Sequence, residues 1–247
     1  MDRLLAATAR AERDHFWFRG FRRFVEPLVA DARAAHGAML EILDCGCGTG
    51  HNLELLRRYG RATGIDLTWT GLTVARRRGE RRLARATAAQ LPFAAETFNL
   101  VTSFDVLYAL PDETERHAIT EMFRVLKPGG RLLVNVAALD VLRGNHSLLS
   151  GEVRRYSRGG LEKKLHAAGF RVRRSTYTNI SILPLVAAVR LAQRVTGHVE
   201  SQEEIAVPFA PVNAVLSGVL ALEAAALRRV NMPVGSSLLV YAERPGR

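Results

Sequence analysis

Along the chain, apolar positions fall into short runs of strand length that alternate with stretches of helical period. The strand-like runs are 41–45, 62–66, 82–86, 98–104, 131–136, 170–178 and 236–242. Helices are expected to begin near Asn52, to follow the second run through Arg78, and to span Asp112 to Leu126 and Arg158 to Ala168. Strands alternating with helices of this length predict a doubly wound α/β sheet. Boundary residues agree with that reading. Ser157 is suited to accept from the free amides of a helix start, Gly169 to end the same helix, and Lys127-Pro128-Gly129-Gly130 to stop the one before it.

Two regions stand outside the alternation. Residues 1–36 read as helix and carry an aromatic and basic cluster, His15-Phe16-Trp17-Phe18-Arg19-Gly20-Phe21-Arg22-Arg23. They are expected to form an arm or lid on a core of residues 37–178. Residues 179–235 form a helical insertion or cap before a last strand in 236–247. The insertion holds two runs that are apolar almost all round, Ile182 to Val189 and Ala214 to Leu222. Neither is an uninterrupted span of the ~20 residues that cross a bilayer. Such helices must bury against something. Core packing or a substrate cap is the leading expectation. A homodimer contact and peripheral membrane or lipid contact through 180–230, helped by Arg190, Arg194, Arg228 and Arg229, are the others. Glu223, inside an apolar helix, is expected to pair with an arginine or to mark the helix boundary.

Charge changes the picture only a little. Thirty-five Lys and Arg against 24 Asp and Glu leave a net charge of +11. A nucleic-acid partner is nevertheless not expected. Basic clusters such as Arg76-Arg77-Arg78 and Arg171-Val172-Arg173-Arg174 lack the interleaved aromatics that stack bases. They read as solvated faces. The N-terminus has no signal-peptide core, and the only two cysteines, Cys45 and Cys47, cannot complete a metal site between them. A reduced, cytoplasmic protein without metal is expected.

The candidate chemistry lies in Ile42-Leu43-Asp44-Cys45-Gly46-Cys47-Gly48-Thr49-Gly50-His51-Asn52. A buried strand ends in an acid, and a glycine turn leads into a helix, so the backbone can approach a ligand closely. The next strand ends in Asp66, where an acid is suited to accept hydrogen bonds from ribose hydroxyls. A nucleoside-containing cofactor follows. His51 stands where the dinucleotide fingerprint has its third glycine, which argues against a nicotinamide oxidoreductase, and no Lys-Ser/Thr follows to make a phosphate-binding P-loop.

This glycine turn resembles motif I of the class I S-adenosylmethionine (SAM) dependent methyltransferases. So do Gln90-Leu91-Pro92-Phe93 with Thr97-Phe98-Asn99-Leu100-Val101, and Arg124-Val125-Leu126-Lys127-Pro128-Gly129-Gly130. The resemblance implies a seven-stranded Rossmann-like sheet with the last strand antiparallel. It implies SAM as cofactor, with S-adenosylhomocysteine as product. It places Asp44, Cys45, Gly46, Cys47, Gly48, Gly50 and Asn52 around the amino-acid part, Asp66 and Leu67 at the ribose, Thr87 and Ala88 at the adenine, and Phe104 nearby. Trp17 and Arg19 of the arm would close over the cofactor, with Arg19 or Arg22 near its carboxylate. Where the family often has an acid at the adenine, this chain has Thr87. The arm and Arg154-Arg155-Tyr156-Ser157 are similar to a bacterial small-molecule subgroup, which usually has an acid and a histidine after the fourth strand. Here that passage is Asp105-Val106-Leu107-Tyr108-Ala109, without the histidine.

The activity implied is methyl transfer to a small-molecule acceptor, hydrophobic or amphipathic, with oxygen as the default methyl acceptor. A SAM-binding protein without turnover and an RNA methyltransferase are the alternatives. A base is needed only if the acceptor must lose a proton. Candidates near the carboxyl ends of the strands are Asp105, Tyr108, His146 and Tyr156, with His15 in the arm. Arg154 and Arg155 are candidates to meet an anionic substrate group.

Overall fold

A computed structural model of the chain describes residues 2–143, 151–196 and 205–246. Seven strands form one sheet: β1 (Leu40–Cys45), β2 (Gly60–Asp66), β3 (Leu83–Arg85), β4 (Phe98–Phe104), β5 (Leu126–Ala137), β6 (Arg171–Thr178) and β7 (Ser237–Glu243). Their order is β3-β2-β1-β4-β5-β7-β6. The strands from β3 to β5 are parallel, and β7 runs antiparallel between β5 and β6. This is the expected sheet, with the last strand inserted antiparallel.

Alternation along the strands sends side chains to two apolar layers. On one face, Ile42, Leu100, Leu133 and Leu239 pack under α2 (Phe16–His36) and the small helix α3 (His51–Leu56). On the other, Leu43, Val101, Leu132, Val134 and Val240 pack under α5 (Asp112–Val125) and α6 (Arg158–Ala167). Burying one such aliphatic side chain is worth roughly 1.5–3 kcal/mol. Ser157 caps α6 by accepting from the Gly160 amide at 3.2 Å, and Gly169 follows at φ +97°. The Lys-Pro-Gly-Gly stretch does stop α5 at Val125, but the chain enters β5 at once, and those residues form the first part of that strand.

The arm is two helices rather than the continuous one expected. It comprises α1 (Asp2–Ala11) and α2, with His15 as the N-cap of α2. The cap works because the His15 ring nitrogen accepts from the Trp17 amide at 3.2 Å, satisfying one of the amides a helix start leaves free. Within the insertion lie α7 (Leu183–Thr196) and α8 (Ala210–Leu227). Helix α8 rests on α2 at a close approach: a Cβ at Gly20 would stand 2.4 Å from Leu220 Cδ1. Helix α4 (Trp69–Arg77) carries the chain from β2 toward β3.

Candidate active site

The carboxyl ends of β1, β2 and β4 meet where the strand order reverses about β1, the usual ligand crevice of an open α/β sheet. The turn after β1 is hung on β2, with the Gly46 and Cys47 amides both donating to the Ile65 carbonyl at 2.8 Å. Gly46, Gly48 and Gly50 all take positive φ, at +82°, +49° and +78°. Two of them also lack room for a side chain. A Cβ at Gly46 would lie 2.2 Å from Val106 Cγ2, and one at Gly50 2.7 Å from Ala75 Cβ. Gly48 differs, since a Cβ there would meet only Leu5 of the arm, at 3.6 Å. The loop is pinned at both ends, and its middle has room for a side chain beneath the arm.

Asp66 ties the loop to β2. One carboxylate oxygen accepts from the Gly48 amide at 2.9 Å, and the other accepts from the Thr68 amide and hydroxyl at 2.8 and 2.6 Å. The oxygen bonded to Gly48 retains a lone pair for a further donor. Asp44 is buried and accepts from Thr102 at 2.7 Å. Its burial, aided by the Asp66 charge and opposed by the Thr102 hydrogen bond, pushes its carboxyl up to about 7. Cys45 and Cys47 are buried free thiols, both held protonated chiefly by burial. No cluster suited to a metal occurs among the described residues.

Beyond Asp66, Leu67 and Trp69 present large apolar surfaces, 56% and 64% exposed. Arg85 lies over the Trp69 ring at 5.3 Å and donates to the Leu67 carbonyl at 2.9 Å, holding this wall in place. Thr87 is turned into its own loop, where its hydroxyl accepts from the Ala89 amide at 3.2 Å, and Ala88 is buried in the core. Phe104, at the end of β4, takes the edge of Phe21 from α2 at 5.0 Å.

Asp105 follows with φ +60°, uncommon for a residue with a side chain. Asn135 of β5 holds it twice. Its carbonyl accepts from the Asp105 amide, and its side-chain amide donates to the carboxylate, both at 2.9 Å. Asp105 keeps an open face to solvent but is crowded by protein elsewhere. That crowding, with Glu152 adding to it and the Asn135 hydrogen bond opposing it, pushes the carboxyl up to about 7.

The other base candidates are placed differently. Tyr156 is 5% exposed and donates to Glu115 at 2.8 Å, within a group where Glu115 also meets Arg154 at 2.6 Å and Lys164 at 2.5 Å. His15 is the helix cap already described, stacked on Phe16 at 4.6 Å, and burial pulls its pKa down. Tyr108 is half-buried, and its carbonyl accepts from the Val153 amide at 2.9 Å. His146 lies outside the described residues. Arg154 and Arg155 are engaged within the chain, with Arg155 held 2.7 Å from Glu152, so the anionic-substrate expectation gains no support. Asn52 lies in the first turn of α3, Trp17 packs half-buried on the apolar layer beneath α2, and Arg19 faces solvent.

A contact the sequence did not announce covers the glycine loop. Glu12, 4% exposed at the end of α1, accepts from the Thr49 hydroxyl at 2.8 Å and pairs with Arg78 just beyond α4. Arg78 donates as well to the Ala9 carbonyl at 2.9 Å. Three segments far apart in sequence thus close α1 over the loop. Beside it, Arg22 Nη1 and His51 Nε2 are buried without a partner. Burial, then the charges of Arg22, Arg78 and Arg13, push His51 down to about 3, so its ring stays neutral. An unpaired guanidinium nitrogen beside a neutral ring suits a carboxylate-bearing cofactor better than a bare cation. A groove of about 680 Å³ between α2 and α8 lies near Tyr59 at the opposite ends of the strands and is not this crevice.

Sheet order, glycine turn and acid-tipped second strand together define the Rossmann-like sheet of the class I methyltransferase fold. The sheet, its flanking helices and the insertion before the last strand match a class I methyltransferase fold, and the family described as "Methyltransferase domain" matches residues 43–134, less than half of the chain. Two relatives are similar over part of the chain. One is the ubiquinone/menaquinone biosynthesis C-methyltransferase UbiE of Roseobacter denitrificans, 39% identical over 108 residues, covering 38% of this chain and 41% of the relative. The other is the erythromycin 3''-O-methyltransferase of Saccharopolyspora erythraea, 37% identical over 113 residues, covering 41% and 36%. The chain therefore spans well under two thirds of the length of these curated relatives. Among solved structures, the [4+2]-cyclase SpnF shares the fold at a TM-score of 0.56, with 22% identity over 90% of this chain and 82% of that one. A cyclase on this fold shows that the fold alone does not choose the reaction.

Proposed function

We propose that the chain is a SAM-dependent methyltransferase acting on a small hydrophobic or amphipathic acceptor. The observation that carries this reading is the Asp66 carboxylate bonded to the Gly48 amide, which sets an acid at the middle of a glycine loop. The likeness of part of the chain to both a C- and an O-methyltransferase supports methyl transfer, and oxygen remains our choice of acceptor atom. The paired free thiols accord with a reducing cytoplasm.

When bound, SAM supplies a methyl group on a sulfonium, whose departure needs no acid. The chain's own residues then bind and orient. Asp66 would accept from a ribose hydroxyl with Leu67 beside it, Trp69 would offer an apolar face to the adenine, and Arg22 would meet the carboxylate. Holding an acceptor in line can itself be worth roughly 7–11 kcal/mol in the best cases. Where the acceptor must lose a proton, Asp105 takes it. Asp105 is the one candidate among those described that is at the strand ends, open to solvent and poised near neutrality.

Calorimetric titration of the wild type and Asp66→Ala with SAM, S-adenosylhomocysteine and NAD tests the reading. Binding of the first two but not NAD, weakened at least tenfold by the substitution, is expected. A folded protein that binds neither adenosyl compound overturns it. Binding without S-adenosylhomocysteine formation across a panel of phenols and acids would favour a SAM-binding protein without turnover.

A further inference from the structure

Helix α8 is built inside out. Its inward side carries Asn213, Ser217 and Glu223, all buried. Asn213 accepts from the Phe16 amide at 2.8 Å and donates to the Asp14 carbonyl at 2.8 Å, capping the start of α2. Glu223 accepts from the amides of Ile180 and Ser181 at 3.2 and 3.0 Å, so its partner is backbone rather than the arginine expected. The outward side carries Val212, Val215, Gly218, Leu222, Ala225 and Ala226, with no charged or polar side chain until Arg228 and Arg229. Val215 is 65% exposed and Leu222 75%. Phe209, just before the helix, is 76% exposed, and Leu185, Val189 and Leu191 of α7 are also bare.

A soluble helix places its polar side toward water. Here the polar residues are spent on fixing the helix to the arm, and the water-facing side is apolar over its 18 residues. An apolar stripe of this length on the surface marks a contact. We propose that this face docks on an anionic lipid bilayer. The helix is long and apolar enough to cross a membrane by length and composition, but Asn213 and Glu223 tie it to the chain. It therefore lies on the bilayer rather than spanning it.

Charge selects this occupant. A second copy would bring one chain of +11 against another, whereas the exposed Arg228 and Arg229 at the end of the stripe suit lipid phosphates. The proposal rests on the surface alone and stands or falls apart from the methyl-transfer reading. The start of α8 is bonded to the arm that covers the glycine loop, so docking brings the crevice close to dissolved or embedded lipophilic molecules.

Flotation of the full chain with vesicles tests it, using phosphatidylcholine alone and phosphatidylcholine mixed with phosphatidylglycerol. The wild type is expected to float with the mixed vesicles and far less with the neutral ones. Val215→Glu/Leu222→Glu, on exposed positions and with an unchanged thermal melt, is expected to lower partition at least tenfold. Arg228→Ser/Arg229→Ser serves as an independent variant and is expected to lower partition about thirtyfold at low salt. Failure to float, or flotation unaffected by the glutamates, overturns the proposal. So does a stable dimer by light scattering that the glutamate variant dissociates.

Discussion

The hydroxyl of Thr49, inside the glycine loop, lies 2.8 and 2.7 Å from the two carboxylate oxygens of Glu12, at the end of the first arm helix. Arg78 completes the contact from the far side. A ligand entering the middle of the loop must pass this closure or arrive before it forms.

Glu12→Gln keeps the size and one acceptor for Thr49 but removes the charge that Arg78 faces. Because Arg78 keeps 28% of its side chain in solvent, the loss is roughly 1–3 kcal/mol rather than that of a fully buried pair. Amide hydrogen exchange over residues 2–15 is expected to speed up at least tenfold, with the sheet unchanged. The dissociation rate of S-adenosylhomocysteine should rise in parallel. Unaltered exchange would mean that the aromatic contacts of Phe16 and Trp17 hold the arm instead.

Asp44 predicts a pH dependence of stability. Its carboxyl is pushed up to about 7 by burial, while in the unfolded chain it sits near ~4. The fold thus keeps the proton after the unfolded chain has lost it. Stability is highest at the acid end of that window and falls as pH rises from about 4 to about 7, by about 1.4 kcal/mol for each unit of pKa difference. Urea midpoints across that range should show the decline. Asp44→Asn, which retains an acceptor for Thr102, should flatten it.

Asp105 predicts a pH dependence of turnover. If it takes the acceptor's proton, activity should fall below about 7 as the carboxyl gains its own. Asp105→Asn, tolerated at positive φ, should remove that limb and lower kcat about 10²–10⁴-fold, leaving SAM affinity unchanged. A variant with wild-type kcat and an unaltered profile would leave Asp105 a positioning role only.

The elements were legible because each obeys a local rule. The run from Phe98 to Phe104 is a strand at those bounds, and Ser157 caps the helix it was expected to cap. The glycine loop and Asp66 were legible for a related reason: close backbone approach and positive φ leave glycine as the residue of choice. The break in the arm was harder to see. Helical periodicity runs on through Glu12 to His15, and the interruption comes from Glu12 turning to Thr49 and Arg78 and from Asn213 holding the second helix at its start.

The amino-acid sequence by itself determined the α/β class, the order of strands and helices, the glycine turn and the acid at the tip of the second strand. These depend on period, propensity and backbone conformation over a few residues. Only the tertiary structure decided which side chains share a site. It gathered Asp66, Leu67 and Asp105 at one edge, sent Tyr156 to Glu115, and turned the polar side of α8 inward. Those outcomes depend on contacts between segments up to 199 residues apart, whose hydrogen bonds and burial no local pattern encodes.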